Sequence, residues 1–131
     1  MNENSFRTFE DLKCWQACHE VRIFIIEIVK SYPKEERYSL VDNMKRAARS
    51  TTQNIAEGFG RFHYKENAQF CRISRGSLFE LLDDLITSIE EKYINQEDYE
   101  RGRDLISNAL AILNGYINYL NRQPSDNSNN K

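Results

Sequence analysis

The chain of 131 residues is long enough to bury one shared core and too short to divide into a catalytic and a regulatory domain. Hydrophobic residues make up 40% and charged residues 29%, a balance that excludes both a disordered chain and a membrane-embedded one. A formal net charge of −2 and a pI near 5.7 give no overall basic bias towards polyanions. Two prolines and five glycines supply little of the punctuation that strands and hairpins need, so helix is favoured before any pattern is read.

Thr8-Phe-Glu-Asp11 has the spacing of a capping box, and Phe9, Leu12, Trp15, Cys18, Val21, Ile25 and Ile28 then recur every three or four residues. This predicts a first helix that stops near Ser31, because Pro33 lacks an amide hydrogen and pushes its predecessor out of helical geometry. Ser39-Leu-Val-Asp42 repeats the capping signature, and Leu40, Met44, Ala47, Ala48, Thr51, Ile55 and Phe59 trace a second inward stripe of small side chains. Gly58 and Gly60 lower helix propensity around Phe59 and place a turn near 61–64. A third helix follows, with Phe70, Ile73, Ser74, Ser77, Leu78, Leu81, Leu85 and Ile89 inward. Asn95-Gln-Glu-Asp98 then offers an N-cap, with Ile94 and Tyr99 at staple positions. The fourth stripe runs Leu105, Ile106, Ala109, Leu110, Leu113, Tyr116, Ile117, Leu120 and ends before Pro124.

Helices at about 9–31, 40–60, 65–92 and 96–122, joined by short connections, predict an all-α, antiparallel up-down-up-down four-helix bundle over residues 1–123 with a polar tail at 124–131. The longest apolar stretch, Val21 to Val29, is broken by Arg22 and Glu27 and falls short of the roughly 20 apolar residues a spanning helix needs. The first ten residues lack a basic region followed by an apolar run, so a cytoplasmic location without membrane contact is expected. Cys14 and Cys18 stand one turn apart on a helix, where a bridge is disfavoured, and Cys71 makes their number odd; reduced thiols in a core are expected.

The string Arg46-Ala-Ala-Arg-Ser50, Asn54-Ile-Ala-Glu-Gly58, Arg61, Phe70 and Gly76-Ser-Leu-x-Glu80 resembles the four helix bundle protein family, also described as the 23S ribosomal-RNA intervening-sequence protein family. Leu12 with Trp15-Gln16, Pro33 with Glu36, and Tyr99 extend the resemblance to about residues 6–121. It implies a four-helix subunit that associates into a ring-like homopentamer, with Arg46, Asn54, Glu57, Gly58, Gly76, Ser77 and Glu80 as structural or interface positions. A similar protein accompanies the reverse transcriptase of diversity-generating retroelements, where a basic pentamer contacts protein and nucleic acid. The present chain departs from that relative in its acidic balance.

Charge is uneven along the chain. Lys45, Arg46, Arg49, Arg61, Lys65, Arg72 and Arg75 face only Glu57 and Glu66 between positions 45 and 75, while the rest of the chain carries the acidic excess. These cations are the candidate surface for RNA or a protein partner through counterion release, set against the simpler roles of solvating a helix face or pairing with acidic helices of a neighbouring subunit. Arg46, Ser50, Asn54, Glu57 and Arg61 form a polar stripe, as do Arg72, Gly76, Glu80 and Asp83, and Arg46 or Arg49 is expected to pair with Glu80 or Glu57 within or between subunits. Gly76, Gly102 and Gly115 inside helical patterns predict close helix contacts.

Chemistry finds little purchase. A di-iron bundle needs Glu-x-x-His repeats, but His19 follows Gln16 and His63 follows Gly60. Cys14, Cys18 and His19 cluster without a fourth ligand, and spacing does not bring Cys71 to them. Trp15 reads as a core anchor. Neither a nucleophile with a base nor a glycine-rich phosphate loop is present, so no enzyme activity, cofactor, metal or small-molecule substrate is expected. The leading expectation is a homo-oligomeric scaffold that binds RNA or an RNA-handling protein. Its rivals are a self-assembling module without nucleic acid and a metal- or cofactor-carrying bundle enzyme.

Overall fold

The 3.6-residue period of the apolar positions becomes four long helices in the computed structural model, which describes residues 8–124. They are α1 (Lys13–Ile28), α2 (Leu40–Phe59), α3 (Tyr64–Glu90) and α4 (Gln96–Asn121), and the described residues contain no strand. Of the polar tail expected at 124–131, all but Pro124 lies outside the described residues.

Helix ends show where local chemistry departs from the capping signatures. Thr8 does accept the Glu10 N–H at 2.9 Å, but the turn it opens is a 3-10 turn, Phe9–Asp11. Leu12 then extends (φ −75°, ψ 131°), so α1 starts at Lys13 rather than near position 9. Ser39 caps nothing. Its hydroxyl donates to Glu36 Oε1 at 2.7 Å, and that carboxylate oxygen, not Ser39, accepts the first amide of α2 from Leu40 at 3.3 Å. Asn95 behaves as its pattern predicts, accepting the Asp98 N–H at 2.7 Å to open α4. Helix α3 ends in a Schellman motif: Lys92 takes a left-handed backbone (φ 66°), Tyr93 N–H reaches Ser88 O at 2.9 Å and Lys92 N–H reaches Ile89 O at 3.1 Å.

The inward stripes meet in one core, including Val21 and Ile25 of α1, Met44 and Ile55 of α2, Leu78, Leu81 and Leu85 of α3, and Ile106 and Leu113 of α4. Burying each such side chain stabilises the fold by about 1.5–3 kcal/mol. Ile73, expected inward, is 52% exposed. Its neighbour Ser74 is fully buried, and successive helical residues are turned by roughly 100°, so both cannot point the same way.

Hydrogen bonds between α2 and α3 run in opposite sequence order. Along α2 and α3, Asn43 donates to Asp84 at 2.8 Å, Ser77 donates to Ser50 at 2.8 Å, and Ser74 donates to Thr51 O at 2.7 Å. Along α3 and α4, Arg75 donates to Asn114 at 2.8 Å and Asn67 donates to the Tyr116 hydroxyl at 3.1 Å. Two glycines permit the closest approaches. A Cβ on Gly58 would stand 2.7 Å from Asn67 Oδ1 and 3.0 Å from both Asn67 O and Phe70 Cβ; on Gly102 it would stand 2.7 Å from Leu85 Cδ1 and 2.9 Å from Phe24 Cε2. Gly76 and Gly115 have no such neighbour within 4 Å among the described residues, so of the three glycines expected to mark close helix contacts only Gly102 does so here. Both sit on outward helix faces, where no second helix of the subunit arrives.

Candidate macromolecular interface

The helix α2–α3 seam is polar where most bundle seams are apolar. Ser50 Oγ accepts from both Ser77 and, at 2.9 Å, Asn54, so one hydroxyl joins two of the motif residues. Asn54 also donates to Ser50 O at 2.9 Å. Small hydroxyl side chains let the backbones approach, and Gly58 completes the approach at the α2 end. Ser77 and Gly58 therefore join two helices of one subunit, while Asn54 fixes the Ser50 hydroxyl from within α2. Arg46, Glu57, Gly76 and Glu80 lie on the outer face beside them, exposed.

The seven candidate cations do not form one patch. Arg72 turns to α4, donating to Asn121 at 3.3 Å, and Arg75 does the same with Asn114. Arg49 lines a groove of about 350 Å³ with Phe9 and Trp15 on the α1 side of α2, and Lys45 lies one turn before it on the same face. Arg46 instead sits near the α2–α3 groove, 3.7 Å from Asp42 and donating to Asn43 at 3.0 Å. Arg61 is already committed: it pairs with Glu57 at 3.0 Å and Glu66 at 3.8 Å and lies over the Phe70 ring at 4.9 Å. Lys65 is exposed at the start of α3. The expected pairing of Arg46 or Arg49 with Glu80 or Glu57 is not formed within the chain. Side chains one helical turn away, Asp42 for Arg46 and Arg61 for Glu57, are nearer partners.

Titratable groups in the interior serve structure. Asp84 is buried beside α2, and desolvation, reinforced by Glu80 and Asp83, lifts its carboxyl to about 6 against the opposing Asn43 hydrogen bond and Arg46. The three thiols, which spacing alone did not unite, are all buried, and they lie close enough that ionising Cys18 or Cys71 would further disfavour ionising Cys14. Burial pushes Cys18 to about 11 and Cys71 to about 12, and Cys14 higher still, so all stay protonated and weakly reactive. Trp15 is half-buried, tilted against Phe9 and stacked on His19 with centroids 4.8 Å apart. Among the described residues no three His, Cys, Asp or Glu side chains are placed to hold a metal ion.

One feature escaped sequence reasoning: a cavity of about 690 Å³ where the start of α1, the α2–α3 turn and the end of α4 meet. Its walls include Phe59, Phe62, Tyr64, Tyr116 and Tyr119. The only legible signal was the aromatic cluster around His63 in the turn.

The family model described as 23S rRNA-intervening sequence protein matches residues 10–115. The chain belongs to that family. A search of curated proteins finds no match. The match covers α1, α2, α3 and most of α4, so the Asn54-to-Gly58 and Gly76-to-Glu80 segments of this intervening-sequence protein both lie within it, on the two helices that meet at the polar seam. No described helix is long and apolar enough to cross a membrane.

Proposed function

We propose that this 23S rRNA-intervening sequence protein is a non-enzymatic, cytoplasmic, homo-oligomeric scaffold whose outer surface binds a second macromolecule, RNA or an RNA-handling protein. Its subunit is an antiparallel up-down-up-down bundle, a reading supported by the reversed order of the α2–α3 hydrogen bonds. The pentameric state follows from the family resemblance. The observation that carries the proposal is the outer face of α3, where Ile73 and Phe79 are 52% and 53% exposed on either side of the open Gly76. Large apolar side chains left on an otherwise charged helix mark a surface meant for covering. Family-motif residues Arg46, Glu57 and Glu80 flank that face and suit the polar rim of a subunit contact.

Multi-angle light scattering tests it. The native chain is expected to run as a pentamer, and Ile73→Glu with Phe79→Glu to shift it towards monomer without loss of helix; a native monomer overturns the scaffold. Binding of an RNA oligomer should weaken steeply with salt, and charge reversal at Arg46, Arg49, Arg72 and Arg75 should weaken it further.

A second reading, self-assembly without nucleic acid, is favoured by one observation: the cations are spread over three grooves, and Arg61 is neutralised by two carboxylates. RNA binding that is absent at low salt, with the pentamer intact, selects this reading.

A further inference from the structure

We propose that the cavity at the α2–α3 turn is a ligand site for a small amphipathic anion, with a flat apolar body and one carboxylate. The volume, about 690 Å³, lies within the range of small-molecule sites, about 300–1,000 Å³. The walls fit a flat body. Phe59, Tyr64 and Tyr116 line them, and Tyr119 stacks on Tyr116 with an interplanar angle of 15°.

Three observations set the sign of the ligand. None of the described lining residues is acidic, whereas Lys13 is among them and makes no ion pair among the described residues. The Tyr116 hydroxyl accepts from Asn67, and its own proton has no acceptor among the described residues, so it is left to donate. Burial pushes that hydroxyl up to about 12, which keeps the proton in place at any physiological pH. A lone ammonium and an unspent phenol donor, set in apolar walls, match a carboxylate at one end of an apolar molecule.

The mouth carries an independent sign of use. Phe62 lines the cavity in a left-handed backbone (φ 63°) and is 86% exposed, and Tyr119 is 45% exposed. A bulky side chain held in that strained region without burying its ring is poor economy for folding alone. The site goes beyond the scaffold reading and does not depend on it, because every lining group belongs to a single subunit.

Titration calorimetry of the full chain with 4-phenylbutyrate, 4-phenyl-1-butanol and 4-phenylbutylamine tests the assignment. The acid is expected to bind, the alcohol about three- to fivefold more weakly, as suits one partly exposed charge pair, and the amine least. Lys13→Met should erase the acid's advantage over the alcohol while leaving the alcohol's affinity unchanged. Ile112→Trp, which fills the cavity, should abolish binding of all three; if it unfolds the chain by circular dichroism, Tyr119→Ala at the rim serves instead and should weaken all three. Equal affinity for acid and alcohol, an unchanged preference in Lys13→Met, or binding of adenosine 5′-monophosphate with no binding of the acid each overturns the proposal.

Discussion

The two ends of the bundle are closed by different means. Where the α1–α2 connection meets the end of α3 and the segment after it, polar groups are spent on one another. Tyr32 donates to Ser88 at 2.7 Å, Ser88 to Asp84 O at 2.8 Å, Asn43 to the Asp84 carboxylate, and Tyr93 to Glu36 at 2.7 Å. The Ser39 and Tyr93 hydrogen bonds also hold the Glu36 carboxyl below its ordinary range. At the opposite end, aromatic rings surround open volume, and the Tyr116 proton and the Lys13 ammonium have no partner among the described residues. A satisfied network rigidifies, whereas an unsatisfied, apolar concavity is left available for a ligand. The fold thus separates its structural end from its available one, and mutations should tell the two apart.

The largest effect is expected where the two helices of the open end touch. A Cβ at Gly58 meets Asn67 O, a backbone atom that cannot rotate away, so Gly58→Ala should lower stability by about 2–3 kcal/mol through overpacking. At the closed end Gly102→Ala meets only side-chain tips of Leu85 and Phe24, which can give, and the gain of about 1 kcal/mol in helix propensity offsets part of the cost. Urea denaturation of both variants checks the contrast. A smaller loss at Gly58 than at Gly102 would show that the α2–α3 seam is not the tighter one.

Asp84 gives the closed end a pH dependence. Its carboxyl is raised to about 6 by desolvation, with Glu80 and Asp83 adding to the rise and Asn43 and Arg46 opposing it. The folded state therefore holds a proton that the unfolded chain has already released, and stability should fall as pH rises from about 4 to about 6. Asp84→Asn keeps the shape and an acceptor for Asn43 but removes the buried charge. With solvent screening at the seam's edge allowed for, it should stabilise the protein by about 1 kcal/mol at pH 7.5 and have little effect at pH 4. Thermal unfolding at the two pH values measures the difference.

How much of this was legible depended on whether a feature is local in sequence. The four helices were, because apolar period, Pro33 and the Asn95 cap act over a few residues. Ser74 and Ser77 were read as inward from the same period, but their partners Thr51 and Ser50 lie on another helix and follow only from the register between the two. Ser39 failed as a cap because a non-local choice intervened: Glu36, three residues earlier, is fixed by Tyr93 and takes the role. The cations between 45 and 75 are neighbours in sequence yet dispersed in space, since the helical rotation carries Arg49 and Arg72 to opposite sides of the α2–α3 pair. The cavity is the converse case, assembled from three segments that no sequence window contains.

The smallest effect is the most discriminating. Phe62 and Lys92 share a left-handed backbone, with φ of 63° and 66°, and stand at opposite ends of the bundle. Glycine adopts that conformation freely, relieving roughly 1–2 kcal/mol of strain and returning about 0.5–1 kcal/mol as extra freedom of the unfolded chain. Phe62→Gly and Lys92→Gly should therefore each stabilise the fold by about 0.5 kcal/mol in urea titrations. Their ligand behaviour should diverge, because Lys92 serves only the Schellman turn of α3 whereas Phe62 supplies part of the cavity wall. Weaker 4-phenylbutyrate binding in Phe62→Gly, beside unchanged binding in Lys92→Gly, would place the cost of the strained phenylalanine in ligand recognition. Unchanged binding in both would make Phe62 a turn residue like Lys92, and the two ends would differ only in how they close.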